Sequence, residues 1–330
     1  MTVDTDVEEV HVGELADVDE AGFAELAERH RRELHVHCYR MLGSFQDAED
    51  AVQETFLKAW RARATYEGRS TLRAWLYRIA TNACLDFLKR HERRSLPSGS
   101  VLDTLERDAD IQPFPDVAPT GLSRAGDPAD AVVQAETTGL LLLAALRRLP
   151  PRQRAAFIAR DVLAFGADEA AVLLDCSTTS VNSLVGRARR AIRSHTAPHP
   201  PPPAGPEDEA IVSQYVAAHH RADVDALVAL VVADIRIGMP PEPPCRGMDE
   251  ARSFFSQILG PQRSGDWMLL PTRANGAPAT ANYLRRPDDA VFHATSVDVL
   301  QVRDGRVEAI TCFLGPRTFP AFGLPLTQGG

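Results

Sequence analysis

The sequence predicts a multidomain protein: two all-α helical modules, the second carrying a helix-turn-helix, followed by an α+β cone domain. Three observations predict it. Apolar residues recur at helical spacing through residues 21–94 and again through 131–195. Stretches rich in Pro, Gly, Ser and Asp (95–130) or in Pro (196–206) interrupt that period, as linkers do. Beyond residue 207, three helical patterns give way to runs of alternating residues separated by Asn-Gly and Asp-Gly turn signals. A length of 330 residues, 44% of them hydrophobic and 25% charged, suits two or three domains.

Composition excludes several classes. No run approaches the roughly 18 apolar residues that a membrane span needs, and the first twenty residues carry eight acids and no Lys or Arg, the reverse of a signal peptide. A cytoplasmic protein with no membrane partner is the expectation. The cysteines Cys38, Cys84, Cys176, Cys245 and Cys312 are scattered without a CxxC pair, so neither a zinc site nor any other metal or cofactor is expected. His35, His37 and Cys38 lie too close in sequence to converge from one helix, and they read as packing residues. The net charge of -9 hides an alternation: 21–94 and 131–195 each carry four more bases than acids, whereas 95–130 carries seven acids against two bases. Two basic modules on an acidic tether suit a nucleic acid touched at two places.

In chain order, residues 1–20 read as a disordered acidic tail. Phe23, Leu26, Ala27, His30, Leu34, His37, Cys38 and Met41 form one face of a first helix, which Gly43-Ser44 ends. In GSFQDAEDAVQETFLKAW, Ala48, Ala51, Val52, Thr55, Phe56 and Ala59 make the buried stripe of a second helix with Asp47 at its start. Asp47, Glu49, Asp50, Gln53, Glu54 and Lys58 lie on the other side as an acidic ridge. After the loop ATYEGRST comes a third helix over 72–94, with Leu72, Trp75, Leu76, Ile79, Ala80 and Ala83 in its stripe and basic residues toward its end.

The run LHVHCYRMLGSFQDAEDAVQETFLKAWRA, a short loop, and STLRAWLYRIATNACLDFLKR resemble region 2 of the extracytoplasmic-function (group IV) RNA polymerase sigma factors. That resemblance implies that Asp47, Glu49, Asp50, Gln53, Glu54 and Leu57 dock on the β′ clamp helices of core RNA polymerase. It further implies that the loop and third helix open the −10 element and hold an unstacked base, through Tyr66, Gly68, Arg69, Ser70, Thr71, Arg73, Arg78 and Asn82. The residue chemistry agrees. A loop with Tyr and Gly can enclose a splayed base, and Arg and Asn offer phosphate and base-edge contacts.

Residues 95–130 lack sustained periodicity and read as a linker, which in this family threads the channel later taken by nascent RNA. Helical periodicity returns to Leu149, restarts after Pro150-Pro151, and leads into GADEAAVLLDCSTTSVNSLVGRARRAIR. There Asp175-Cys176-Ser177 makes the turn of a helix-turn-helix and Ser177 or Thr178 caps its second helix. The pattern resembles region 4 of the same family, whose second helix enters the major groove of the −35 element while the domain meets the β flap of polymerase. Thr178, Thr179, Ser180, Asn182 and Ser183 are then the base-reading candidates, and Arg187 and Arg190 the phosphate contacts. Asn182 and Leu184 stand where many members carry basic residues. Gly186 inside the recognition helix costs up to about 1 kcal/mol relative to Ala.

The segment 207–330 resembles the SnoaL-like members of the NTF2-like superfamily, in VAAHHRADVDALVALVVADIRIGMPP and in the closing DGRVEAITCFLGPRTFPAFGLP. The layout as a whole resembles sigma factors with such a C-terminal domain. Trp267, Tyr283 and His293 are the candidate ligand pocket of the cone. His293 and Asp298 lie five residues apart, which on a regular strand puts them on opposite faces and argues against an acid–base pair. The reading is an alternative sigma factor, without catalysis of its own, whose third domain regulates it by packing on the other modules or by sensing a small ligand. An anti-sigma factor is a further partner to expect. Two alternatives share parts of the pattern: an NTF2-like isomerase or cyclase fused to DNA-binding modules, and a helix-turn-helix repressor that acts without polymerase.

Overall fold

The computed structural model describes residues 18–68, 70–91, 100–116, 139–195, 206–260 and 263–329. The N-terminal tail through residue 17, Arg69, and most of both linkers lie outside the described residues. In chain order the helices are α1 (Glu20–Leu42), α2 (Phe45–Ala62), α3 (Leu72–Arg90), α4 (Val101–Arg107), α5 (Leu140–Arg147), α6 (Pro151–Phe157), α7 (Ala167–Leu174), α8 (Thr178–His195), α9 (Pro206–His220), α10 (Val224–Leu230) and α11 (Gly247–Leu259). The strands are β1 (Val231–Met239), β2 (Glu242–Arg246), β3 (Asp266–Ala274), β4 (Ala277–Arg285), β5 (Phe292–Arg303), β6 (Arg306–Leu314) and β7 (Thr327–Gln328). The chain divides into two compact units, Met1–Arg94 with Leu146–Ser194, and Ser95–Ala145 with His195–Gly330.

The first unit is helical. Gly43 adopts a left-handed conformation (φ 83°) that ends α1, and the Ser44 hydroxyl then accepts the Asp47 N–H at 3.2 Å to start α2. Ser44 is therefore the N-cap, and Asp47 sits in the first turn, where a negative charge is favoured. Thr71 caps α3 by accepting the Ala74 N–H at 3.2 Å. The expected stripes face inward: Leu34, Cys38 and Met41 of α1, Ala48, Val52 and Ala59 of α2, and Leu76, Ala80 and Cys84 of α3 are all buried. Burial of each larger side chain contributes roughly 1.5–3 kcal/mol. Trp75 is half-buried, its ring 5.2 Å from that of Tyr66.

Helix α7 ends on Asp175 in the left-handed region (φ 49°), and Ser177 accepts the Ser180 N–H at 3.2 Å to start α8. Ala170, Leu173 and Leu174 of α7 and Val181, Val185 and Ala188 of α8 are buried, which is the packing of a helix-turn-helix.

In the second unit the sheet runs β2-β1-β6-β5-β4-β3, with β7 on β5. All pairs are antiparallel except β1 with β6. Asn275-Gly276 (φ 55° and 74°) and Asp304-Gly305 (φ 51° and 70°) supply the hairpin turns of β3–β4 and β5–β6, as their dipeptides predict. Tyr215, Leu227, Ile235, Phe255, Leu269, Leu300 and Ile310 form the core between the helices and one sheet face. The Pro-rich segment after β1 forms β2, an edge strand, where the missing proline N–H groups need no partner.

Within the stretch that the sequence reads as a spacer, residues 100–116 are structured and belong to the second unit. Ser100 and Asp103 form a capping box that opens α4. Val101 and Leu105 are buried, and Phe114 and Asn275 exchange hydrogen bonds of 2.9 Å in each direction.

Candidate functional site

Three exposed surfaces of the first unit carry the predicted residues. On α2, Asp50, Gln53 and Leu57 recur at three- and four-residue intervals and are exposed. Leu57, at 57% exposure, is a large apolar side chain left in water beside acids. Asp47 and Glu49 are half-buried alongside. Glu54 is committed elsewhere: it pairs with Lys58 at 2.9 Å and with Arg90 of α3 at 3.6 Å. The Lys58 hydrogen bond, foremost, holds its carboxyl below the ordinary range.

The second surface is the loop before α3 and the outer face of that helix. Tyr66 is buried and donates to the Ser70 carbonyl at 2.6 Å, and Gly68 takes φ 63°, so the loop is tightly turned. Arg78 and Asn82 are exposed one turn apart on α3. Arg73 is not free: Glu33 accepts from its Nε at 2.7 Å, and its guanidinium lies over the Tyr77 ring at 4.9 Å. Burial alone would raise the Glu33 carboxyl, but hydrogen bonds from His30 and Arg73 hold it below its usual range. Sequence reading missed Glu33 because its partner lies forty residues away.

The third surface is α8. Thr179, Ser180, Asn182, Ser183, Arg187 and Arg190 are exposed and Thr178 is half-buried, while the intervening Val181, Val185 and Ala188 face the core. Arg189, between the phosphate candidates, makes a bidentate pair with Asp161. A Cβ on Gly186 would meet nothing within 4 Å, so no close packing demands glycine there.

The pocket candidates separate. The register Trp267–Leu284–His293 puts Trp267 and His293 on one face of the sheet, two strands apart. Tyr283, one residue out of phase, points to the opposite face. Its ring packs on Phe319 at 5.0 Å and its hydroxyl donates to the Pro325 carbonyl at 3.0 Å. The parity argument about His293 and Asp298 is corrected by a β-bulge. Asn282 pairs Ser296 but Tyr283 pairs Ala294, so Thr295 is the extra residue, and His293 and Asp298 share a face. They remain about 13 Å apart along the strand, too far to act as a pair.

His293 instead lines an open cleft of about 480 Å³ with Arg286, Asp289, Leu326 and Thr327. Asp298 lies in the interior, where burial pushes its carboxyl up to about 6. Near it, the Thr280 hydroxyl and the Asn282 side-chain carbonyl are buried without a hydrogen-bond partner.

His35 donates to the Phe45 carbonyl at 3.1 Å and His37 meets the Thr81 hydroxyl at 2.9 Å, both as packing contacts. Burial drives the His37 imidazole down to about 3. Among the described residues no group of three His, Cys, Asp or Glu could hold a metal ion, and no helix is long and apolar enough to cross a membrane.

A fourth arrangement has no counterpart in the motifs. Asp103 and Glu106 of α4 face Arg236 of β1 and Arg246 of β2. Arg246 donates to Asp103 at 2.7 Å and to Glu106 at 3.0 Å, and Arg236 reaches both acids. Glu106 is 5% exposed. Asp116 accepts the Gly276 N–H at 2.9 Å and pairs with Arg273. The spacing Ser100-x-x-Asp103, with the apolar Val101 and Leu105 four residues apart, is the sequence signal that could have found this helix.

Comparison with known proteins finds three family matches along the chain. The family Sigma-70 region 2 matches residues 26–94, Sigma-70 region 4 matches 139–192, and the SnoaL-like domain matches 212–310. The chain is 38% identical over 325 residues to ECF RNA polymerase sigma factor SigG of Mycobacterium tuberculosis, covering 94% of this chain and 86% of that protein. It is 31% identical over 311 residues to ECF RNA polymerase sigma factor SigJ of the same organism, covering 90% and 93%. The crystal structure of M. tuberculosis SigJ superposes with a TM-score of 0.59 at 26% identity, over 92% of this chain and 99% of that one.

Proposed function

The chain belongs to the ECF RNA polymerase sigma factors, and from that premise we propose how its surfaces divide the work of initiation. It is an alternative sigma factor with a SnoaL-like C-terminal domain: it binds core RNA polymerase and directs it to specific promoters. Its place of action is the cytoplasm, with its polymerase, and transcription requires no catalysis from this chain.

The observation that carries the division of labour is that α2, α3 and α8 each leave a different chemistry exposed in one helical unit. The acidic stripe that ends on Leu57 is the docking face for the β′ clamp helices. Arg78 and Asn82, with the Tyr66–Thr71 loop, handle the melted −10 strand, where stacking and phosphate contacts must offset the unstacking of a base. The N-terminal half of α8 reads the −35 duplex, and Arg187 and Arg190 hold its phosphates.

The C-terminal domain regulates rather than catalyses. Supporting this, Asp103, Glu106, Phe114 and Asp116, which lie in the chain joining the two promoter-binding modules, are bound by its Arg236, Arg246, Asn275 and Gly276. A domain that grips this connector changes how much of it is free to extend. Trp267 and His293 are the residues through which a small ligand would act.

Promoter-specific transcription by purified core enzyme, with the full chain and with a chain ending at Pro206, tests both parts. The full chain is expected to confer specific initiation and the shortened chain to alter its level. No specific initiation would sink the first part, and unchanged activity on truncation would sink the second.

A further inference from the structure

We infer that Glu33 of α1 is a positioning residue for −10 recognition: it orders the Arg73 guanidinium at the start of α3, so that Arg73 meets a phosphate of the melted strand as a fixed fork. The inference rests on assigning α3 to the −10 element, and it adds to that assignment a residue from outside the loop and helix that carry it.

Arg73 stands where helix physics disfavours it. Thr71 caps α3, so Arg73 is the second residue of the first turn, at the positive end of the helix dipole. No acid stands in that turn to offset it. The compensating charge comes from another helix, 40 residues earlier, where Glu33 Oε2 accepts from Arg73 Nε at 2.7 Å. A cation placed against a local rule and compensated from a distance marks a functional constraint, since helix stability alone would not put it there.

The acid and the floor beneath Arg73 are themselves fixed. His30 holds the other Glu33 oxygen at 2.5 Å, and the Tyr77 hydroxyl donates to Oε2 at 3.2 Å. Burial pushes the Glu33 carboxyl up, but its hydrogen bonds with His30 and Arg73 prevail and keep it below the usual carboxylate range. Tyr77 is buried, and its ring is the surface over which the Arg73 guanidinium lies, 4.9 Å from the centroid. The His37 ring meets that of Tyr77 edge-on at 5.0 Å. The Thr81 hydroxyl, 2.9 Å from His37 Nε2, donates to the Tyr77 carbonyl at 2.7 Å.

The guanidinium is thus held along one edge and on one face, while the Arg73 side chain keeps 41% of its surface exposed. Arginine recognises phosphate as a planar fork, and a long side chain loses rotamer freedom when it does so. Glu33 and Tyr77 impose that order on folding, before the strand is melted. Lysine at the same place would keep the charge and a pair with Glu33 but would lack the fork. Glu33 is also an anion beside nucleic acid, so neutralising it has two opposite effects. General attraction to duplex rises by one charge, and the ordered contact is lost.

The test follows opening of the −10 element by the holoenzyme, read from the fluorescence of 2-aminopurine placed in that element. Glu33→Gln is expected to bind core polymerase as the parent does and to hold non-specific duplex at least as tightly. It is expected to open the element about tenfold more slowly. Arg73→Ala is expected to slow opening by as much, and the two substitutions together no further, because the pair acts as one unit. Opening by Glu33→Gln at the parent rate, or effects of the two substitutions that multiply, would overturn the inference.

Arg73→Lys separates positioning from a structural role, and it decides the question even if Glu33→Gln fails to fold. It is expected to melt as the parent and to open the element as slowly as Arg73→Ala. Opening at the parent rate would show that charge alone suffices, which refutes the positioning role. If that result comes while Arg78→Ala still slows opening, the role of Glu33 falls and the assignment of α3 to the −10 element stands.

Discussion

Arg246 of the edge strand β2 donates to Asp103 of α4 at 2.7 Å, which makes the connector between the two promoter-binding modules part of the C-terminal domain. The Ser100 N–H, foremost, together with the Ser100 hydroxyl and Arg246, pulls the Asp103 carboxyl down to about 2. Because the folded value lies below the ordinary value of 3.8, this stabilisation is present above pH 4 and is lost as pH falls from about 4 through about 2. Asp103→Asn is expected to melt below the parent at pH 7, with the gap closing as melting is followed into that acid window. Arg236→Ala, which takes from the buried Glu106 one of its two arginine partners and leaves it Arg246 at 3.0 Å, is expected to destabilise the second unit by roughly 1–3 kcal/mol.

Asp298 has the opposite sign. Its folded value, raised by burial to about 6, exceeds the ordinary 3.8, so protonation favours the folded state. Stability is expected to fall as pH rises from about 4 to about 6 and to stay lower above it, by an amount on the order of 3 kcal/mol. Asp298→Asn, neutral throughout, is expected to flatten this dependence in thermal melts at pH 5 and pH 8. A dependence that is the same in both chains would count against the assignment.

On α8, Asn182 and Arg187 are expected to fail differently. Asn182→Ala is expected to relax discrimination at one position of the −35 element by about 1–3 kcal/mol. Arg187→Ala is expected to weaken binding about equally on all sequences and to reduce the salt slope by about one. Holoenzyme binding to single-base promoter variants at several salt concentrations separates the two.

Gly186 lies within α8 with open space where a Cβ would stand. Gly186→Ala is expected to stabilise the first unit by up to about 1 kcal/mol, since it removes the entropy cost of glycine in a helix at no steric cost. Denaturant unfolding checks this, and a destabilised variant would show that α8 depends on glycine at that turn.

Asp50→Arg reverses a charge in the exposed stripe of α2 without touching the core. It is expected to abolish binding to core polymerase while leaving the helical circular dichroism and the melting temperature unchanged. Retained binding would remove α2 from the interface.

The sequence by itself determined what local periodicity and turn chemistry determine. The stripes of α1 to α3, the Asp175-Cys176-Ser177 turn and the Asn-Gly and Asp-Gly hairpins follow from residues a few positions apart, and so were legible. The exposed face of α8 followed from the same period. The tertiary structure decided the rest, because each remaining feature joins groups far apart in the chain. A bulge at Thr295 put His293 and Asp298 on one face, against simple alternation. Arg73 met Glu33, Glu54 met Arg90, and Asp103 met Arg246 through side chains whose partners no spacing rule names. The prolines of β2 became a strand because an edge tolerates missing donors. The carbonyls of Met41 and Leu42, left open at the end of α1 as at any helix end, took arginines from more than a hundred residues away.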